Sequence, residues 1–221
     1  MLSKLEKPKG FSVKKARKLQ LSLSKRVIKE DGLPPSLRSV AGVDTAYIGK
    51  YALTAVAVLD YSTLEVLETE VVRMRCEFPY IPTLLSFREA PGVVQAIKKV
   101  KLKPDVYLID GHGIAHPYRC GLATHVGVTA GIPTIGVAKS LLCGEVREPK
   151  GKWASIVDKG EAIGAAVFTV TGQKPIYVSI GHRVSLNRAV NTVLHCVKKS
   201  RIPEPLRVAH TEANLRRMKI R

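Results

Sequence analysis

The chain has 221 residues, 45% of them hydrophobic, so it can bury a core, and this composition excludes an intrinsically disordered protein. Its 36 Lys and Arg residues against 18 Asp and Glu give a formal net charge of +18, which indicates a polyanionic partner; the alternative is a surface charged for solubility alone. Because residues 1–38 carry 11 basic and 3 acidic side chains and residues 198–221 carry 8 and 2, we expect one domain over 1–221 with basic N- and C-terminal segments.

A helix is the first predicted element. It covers 12–31, with Ser12 as its N-cap, and ends before the two prolines at 34 and 35. The apolar positions that recur at helical spacing are Val13, Ala16, Leu19 or Gln20, Leu23 and Val27.

An alternation of strands and helices follows. The predicted elements are strands over 40–47, 51–59 and 64–76, a helix over 83–100 that Pro91 breaks or kinks, a strand over 106–110, a helix over 121–130, strands over 134–138, 165–170 and 176–180, and a helix over 186–199. Short links make the first three strands an antiparallel meander. The order of elements after the first helix is three strands, helix, strand, helix and strand, which is the ribonuclease H-like pattern. We therefore expect an α/β fold with a central mixed sheet flanked by helices.

Three acidic residues lie in apolar surroundings. Asp44 stands in AGVDTAY, Glu89 in LLSFREAP and Asp110 at the end of VYLID. The first and fourth strands are neighbours in such a sheet, which brings the two aspartates together. Acidic groups that meet repel one another unless a cation shares them, and oxygen ligands favour Mg²⁺, with Mn²⁺ as a substitute, over zinc. The alternative is that the aspartates only cap turns.

Histidine and cysteine residues do not predict zinc. His112, His116 and Cys120 have four-residue spacing, but Gly113 and Pro117 argue against a continuous helix there, and no second pair completes a tetrahedral site. The four cysteines form no CxxC pair, which favours reduced thiols. The first ten residues lack a signal core, and apolar runs such as 52–59 are too short for a bilayer, so we expect a cytoplasmic protein without a membrane partner. We also expect it to be a monomer.

Four motifs resemble the endonuclease V family. They are AGVDTAY, FPYIPTLLSFREAP, DGHGIAHPYRCGLATHVGV and GVAKSLL, in the right order within roughly residues 10–210. The resemblance implies a metal-dependent endonuclease that recognises hypoxanthine (deoxyinosine) in DNA. It also implies hydrolysis of the second phosphodiester bond 3′ to the lesion, which leaves 3′-hydroxyl and 5′-phosphate ends.

The resemblance also implies roles for individual residues. The metal ligands would be Asp44, Glu89, Asp110 and His210. The catalytic residues would be Asp44, Glu89, Asp110 and Lys139, and Lys139 would approach the scissile phosphate. Nucleic acid would be bound by Tyr80, Ile81, Pro82, His116 and Lys139. The base pocket would be lined by Thr83, Leu85, Gly111, Gly113, Gly121 and Leu122, the glycines permitting close backbone approach.

The segment Pro79–Pro82 has the character of a wedge. Two prolines stiffen a tip that carries Tyr80 and Ile81, which suits insertion into a base stack; the alternative is a buried turn. In the family this tip separates the strands while the lesion base rotates into a pocket. Thr83 stands where the family usually has glycine, and Tyr118 where it often has arginine, which affects the pocket geometry and one phosphate contact.

Three other functions remain open. The same site could accept inosine-containing RNA. A ribonuclease H-like resolvase would read branch shape, but the wedge argues against it. A non-catalytic basic nucleic-acid-binding module would explain the charge, although a pure binder gains nothing from acids that face phosphates.

Overall fold

A computed structural model describes residues 10–76 and 78–219. The strands in these ranges are β1 (Ser39–Ile48), β2 (Tyr51–Asp60), β3 (Val66–Arg75), β4 (Val106–Asp110), β5 (Thr134–Ala138), β6 (Glu145–Val146), β7 (Trp153–Asp158), β8 (Glu161–Val167) and β9 (Ile176–His182). The helices are α1 (Val13–Ser24), α2 (Leu85–Lys99), α3 (Leu122–Ala130), α4 (Leu186–His195) and α5 (Glu204–Met218).

One mixed sheet contains all of these strands, in the order β3-β2-β1-β4-β5-β9-β8-β7-β6. β1, β2 and β3 form the predicted antiparallel meander, and β4 and β5 run parallel to β1. The first strand therefore lies beside the fourth, and the predicted ribonuclease H-like fold with a central mixed sheet is confirmed.

Each face of the sheet buries its own apolar layer. Val43 and Ile109 pack with residues of α2 and α3, whereas Val40 and Leu108 pack with residues of α4 and α5. Side chains alternate between the faces of a strand, so odd-numbered residues of β1 and β4 face the first helix pair and even-numbered residues the second. This alternation decides which helices reach the acidic residues.

The predicted helix over 12–31 is wrong at its C-terminal end. α1 stops at Ser24, and the chain then bonds to the last residue of β9 and to the residue after it. The Ile28 amide donates to His182 Nδ1 at 3.2 Å, and the Arg183 amide donates to the Ile28 carbonyl at 2.8 Å. These tertiary hydrogen bonds replace the last helical turns.

The sequence predicts a break or a kink at Pro91; α2 continues through this residue, so the break is wrong. Pro91 lies on the exposed side of α2, where its ring meets no core packing, while Gly92 and Val93 beside it are buried. The helix predicted over 186–199 ends at His195, and the strand predicted over 165–170 is β8, which begins and ends earlier. Three elements, β6, β7 and α5, were not predicted.

In the described part of the chain, no helix has the length and apolarity needed to cross a membrane. The four cysteines are free thiols. The single domain over 1–221, the monomeric state and the cytoplasmic location stay predictions.

Candidate active site

Strand register brings Asp44 and Asp110 together. Val43 of β1 is opposite Ile109 of β4 in a parallel pair, so the two aspartates follow at the next position on neighbouring strands. Both are even-numbered and therefore project toward the face that α5 covers. The predicted juxtaposition of these two residues is confirmed.

Helix α5 approaches this face at Gly42. A Cβ atom there would lie 2.1 Å from the Pro205 carbonyl carbon, so only glycine allows the contact. One turn further along α5, His210 Nδ1 lies 2.6 Å from Asp44 Oδ2. Asn214 Nδ2 lies 3.1 Å from the other ring nitrogen of His210. The close packing of α5 thus delivers an imidazole to the aspartates.

Glu89 enters from α2, on the other side of the sheet. Its side chain is buried, and its Oε1 accepts a hydrogen bond from the Tyr47 hydroxyl at 2.7 Å. Burial and the negative charge of Glu89 raise the pKa of Tyr47, which therefore stays a donor. Tyr47 is odd-numbered on β1, which places it on the face of α2. The Arg88 guanidinium lies 4.3 Å from the centre of its ring.

Burial is also the main reason why the pKa of the Glu89 carboxyl rises to about 7. The negative charges of Asp44 and Asp110 act in the same direction, while the Tyr47 hydrogen bond opposes the rise. The three carboxyl groups therefore lie within one another's electrostatic field.

Asp110 is paired with Lys139, whose Nζ lies 2.5 Å from Asp110 Oδ2 at the end of β5. Burial, with the charge of Asp44, raises the pKa of Asp110 although Lys139 opposes this. Burial lowers the pKa of Lys139, but the ion pair with Asp110 outweighs it and the net shift is upward. Lys139 is thus a protonated cation at the mouth of the site, with its side chain 49% exposed.

Within residues 10–76 and 78–219, no three His, Cys, Asp or Glu side chains are already arranged around an ion. Asp44 is engaged by His210, and Asp110 is engaged by Lys139. The donor set consists of hard carboxylate oxygens and one imidazole, and burial, together with repulsion from the neighbouring acids, raises the pKa of Glu89 and Asp110. Such a set fits a hard divalent cation, which would relieve the repulsion.

A cavity of about 390 Å³ opens beside the acids. The residues predicted for substrate contact that line it are Tyr80, Thr83, Leu85, Gly111, His116, Gly121, Leu122 and Lys139. Three others do not line it. Gly113 packs against the Ile180 carbonyl, where a Cβ atom would come within 2.0 Å, and Ile81 packs into an apolar cluster with Phe78. Pro82 is exposed outside the wall.

Tyr80 stands at the rim of this cavity with 66% of its surface exposed. A buried turn is therefore the wrong description of this residue. His116 is only 3% exposed, and its Nδ1 accepts from the Tyr118 amide at 3.1 Å. Its Nε2 then carries the proton and donates to the Thr83 carbonyl at 3.1 Å. Burial lowers the pKa of His116 to about 4, so the ring is neutral at pH 7.

A family model described as Endonuclease V matches residues 21–211. The chain belongs to the endonuclease V family. An Endonuclease V of Roseiflexus sp. (strain RS-1) is 47% identical over 212 residues, covering 95% of each chain. The crystal structure of Streptomyces avermitilis Endonuclease V has a TM-score of 0.88 at 38% identity and covers 99% of each chain.

A second similar structure contains nucleic acid. It is Ciona intestinalis Endonuclease V in complex with a 24mer DNA containing an inosine followed by a ribo-adenosine, with a TM-score of 0.86, 31% identity and coverage of 95% of this chain and 98% of that one. The predicted family is confirmed. The chain is an enzyme of a metal-dependent nuclease family.

Several residues around the candidate site were not found from the sequence. Tyr47 lies in AGVDTAY. Its odd-numbered position on β1 indicates that it faces α2. Asn214 is four residues after His210, a helical spacing that becomes visible only once α5 is recognised. Arg17 and Gln20 contact Thr83 from α1. The sequence left Leu19 or Gln20 as the apolar-face position of this helix, and Gln20 is the one that is buried.

Glu89 gives this site a testable pH dependence. The pKa of the Glu89 carboxyl is about 7 in the folded state and 4.5 in the unfolded state. The protonated group therefore stabilises the folded state fully below pH 4.5, and this stabilisation is lost as the pH rises through 7. Without divalent metal, Glu89→Gln is expected to gain stability relative to the wild type over this range, by up to about 3 kcal/mol.

Urea unfolding in EDTA at several pH values measures this difference. The matched control is Glu148→Gln, which neutralises an exposed acid and should show a constant offset. A constant offset for Glu89→Gln as well would contradict the raised pKa.

Proposed function

We propose that this protein recognises hypoxanthine in DNA and hydrolyses the second phosphodiester bond on the 3′ side of the lesion, leaving 3′-hydroxyl and 5′-phosphate ends. The observation that carries the proposal is the juxtaposition of Asp44, Glu89 and Asp110 with a cavity whose rim carries the exposed Tyr80. Family membership supports the reaction, and the inosine-containing DNA bound by the Ciona intestinalis enzyme supports the substrate.

The acids would hold Mg²⁺, or Mn²⁺ in its place, and His210 would become a further ligand when its Nδ1 exchanges Asp44 for the ion, since Asn214 engages its Nε2. When bound, the ion would supply Lewis acidity for activation of water and stabilisation of charge on the phosphate. Tyr47 fixes the orientation of Glu89 by its hydrogen bond. His210 holds Asp44, and Asn214 in turn holds His210. The protein therefore orients each ligand through a second side chain.

Lys139 would approach the scissile phosphate. Its ammonium group is held by Asp110 and remains protonated, so it can attract a phosphate oxygen while its half-exposed side chain faces solvent. A positive charge preset at this place stabilises negative charge that develops on the phosphate during the reaction.

The cavity would receive the lesion base. Gly111 and Gly121 bring backbone groups to its wall, and a Cβ atom at Gly121 would lie 2.2 Å from the His112 carbonyl oxygen. Leu85 and Leu122 provide apolar walls. Concave sites of this size, with a few fixed polar groups among apolar walls, suit small planar ligands. Tyr80 would occupy the gap that the rotated base leaves in the stack.

Inosine-containing RNA is the second candidate substrate. It is favoured by the ribo-adenosine next to the inosine in the Ciona intestinalis complex, since a 2′-hydroxyl is accommodated there in a related site. Oligonucleotides with a single ribonucleotide at each position around the inosine would separate the two substrates.

The test of the proposal uses matched oligonucleotides that differ by one hypoxanthine. With Mg²⁺, we expect one incision at the second bond 3′ to the lesion, a ligatable 3′-hydroxyl end, and no product in EDTA. Equal cleavage of the undamaged strand would overturn the lesion specificity, and cleavage governed only by branched structure would favour a resolvase. Binding without cleavage in Mg²⁺ and in Mn²⁺ would favour a non-catalytic module.

Salt should weaken binding steeply. If about five phosphates are contacted, affinity is expected to fall by about 10² to 10³ between about 50 and 200 mM salt, because each contact releases counterions. The salt titration uses the Asp110→Asn variant, which is expected to bind the substrate without cutting it. A flat response would mean that the basic terminal segments do not touch the backbone.

A further inference from the structure

The residue that follows the wedge has an unusual backbone conformation. Thr83 has φ +68, in the left-handed region that β-branched residues rarely adopt. Its position is a junction: Pro79–Pro82 precedes it, and α2, which carries Glu89, begins two residues later. The backbone conformation of Thr83 therefore contributes to the direction of the wedge relative to the acids on the sheet and on α2.

Three side chains hold the carbonyl group of Thr83. Its oxygen accepts hydrogen bonds from Arg17 Nη1 at 3.2 Å, Gln20 Nε2 at 2.9 Å and His116 Nε2 at 3.1 Å. Two of these donors come from α1 and one from the cavity wall, more than 30 residues away in sequence on either side. A backbone carbonyl oxygen has two lone pairs, and here three side-chain donors share them.

Arg17 also holds the side chain of Thr83. Its Nη2 donates to Thr83 Oγ1 at 2.5 Å, and the hydroxyl donates onward to the Pro82 carbonyl at 2.5 Å. The guanidinium lies 4.1 Å from the centre of the Tyr118 ring. The planar guanidinium group of Arg17 has two terminal nitrogens that donate in parallel, so one side chain can bind both oxygens of Thr83. A lysine ammonium group lacks this geometry.

Gln20 ties the same helix to the cavity. It is fully buried, its Oε1 accepts from Arg17 Nη1 at 2.9 Å, and its Nε2 also donates to the Cys120 carbonyl at 3.0 Å. Cys120 lines the cavity. Helix α1 is thus bonded at once to the base of the wedge and to the cavity wall.

We propose that Arg17 is a positioning residue that, together with Gln20, fixes Thr83 and so sets the wedge over the base cavity before a duplex binds. The inference rests on the proposed function, because it assigns the wedge and the cavity to strand separation and base capture. Tyr80 is 66% exposed, so the backbone on either side orients it, and Thr83 is where that backbone leads into α2. A wedge that is already oriented loses less conformational freedom on binding.

Arg17→Lys is the sharpest variant, because it keeps the charge and removes the fork. We expect KM for an inosine-containing duplex to rise about tenfold while kcat stays within about twofold, because the carboxylates and Lys139 are untouched. For single-stranded substrate, where no partner strand must be displaced, KM should rise less than about threefold. Leu19→Ala, which trims an exposed side chain of the same helix, is the matched control and should behave as the wild type.

Hydrogen exchange without nucleic acid provides a second readout. The peptide over 79–88 should exchange faster in Arg17→Lys than in Leu19→Ala. If Arg17→Lys does not fold, Thr83→Val, which exchanges the hydroxyl that Arg17 binds for a methyl group of similar size, should change KM and exchange in the same direction. Equal behaviour of Arg17→Lys and Leu19→Ala in both assays would overturn the inference, as would equal losses on duplex and single strand. If the wild type fails to cut inosine-containing DNA, the proposed function fails, whereas the exchange experiment still tests the contact of Arg17 with Thr83.

Discussion

Replacing Asp110 by Asn is expected to lower the cleavage rate by at least about 10³-fold, or about 4 kcal/mol of transition-state stabilisation, and to leave affinity for an inosine-containing duplex within about threefold. The amide has the shape of the carboxylate but lacks the charge that would hold a divalent ion. Asp110 is next to Asp44 in the strand register and shares its electrostatic field, so Asp44→Asn should have the same effect. Neither change touches Tyr80 or the basic segments.

Thermal unfolding tests the same assignment without turnover. Mg²⁺ or Mn²⁺ should raise the melting temperature of the wild type, since a bound ion stabilises the folded state by mass action, and this rise should vanish in Asp110→Asn. Glu148→Gln removes an exposed acid outside the site and should keep both the activity and the metal-induced rise. Cleavage by Asp110→Asn within about tenfold of the wild type would contradict its role as a ligand.

The sheet and the acids were accessible from the sequence because their signals are local and periodic. β1 and β4 are apolar runs with turn residues at their ends, and the order of elements fixes which strands are neighbours. Because side chains alternate along a strand, a residue's position in the strand also predicts the face of the sheet on which its side chain lies. That is why the meeting of Asp44 and Asp110 was predictable before any coordinates.

The remaining features depend on contacts between distant segments. The end of α1 is set by hydrogen bonds to Arg183 and His182, which no local pattern indicates. The left-handed conformation of Thr83 contradicts its own preference and exists because α1 and the cavity wall bind it. Thr83 and Tyr118, the two departures from the family motifs, both contact Arg17, so they belong to one local arrangement.

Tyr80→Ala is expected to weaken binding of an inosine-containing duplex by about 1–3 kcal/mol, the contribution of one aromatic–base stack, and to leave the stability of the protein nearly unchanged. The exposure of this side chain is the reason: its removal opens no cavity in the core. The loss should shrink for single-stranded substrate, since no partner strand must be held apart. Affinity for both substrates and the melting temperature are the measurements.

Tyr51→Ala is the matched control, because Tyr51 is also an exposed aromatic residue but contacts Arg73 at the β2–β3 edge and does not line the cavity. It should leave lesion affinity unchanged. If Tyr80 were instead a core residue, its truncation would cost about 3–5 kcal/mol of stability and lower every activity together. A Tyr80→Ala protein with a lowered melting temperature and undiminished preference for the lesion would therefore rule out the wedge and support a purely structural role for the tip.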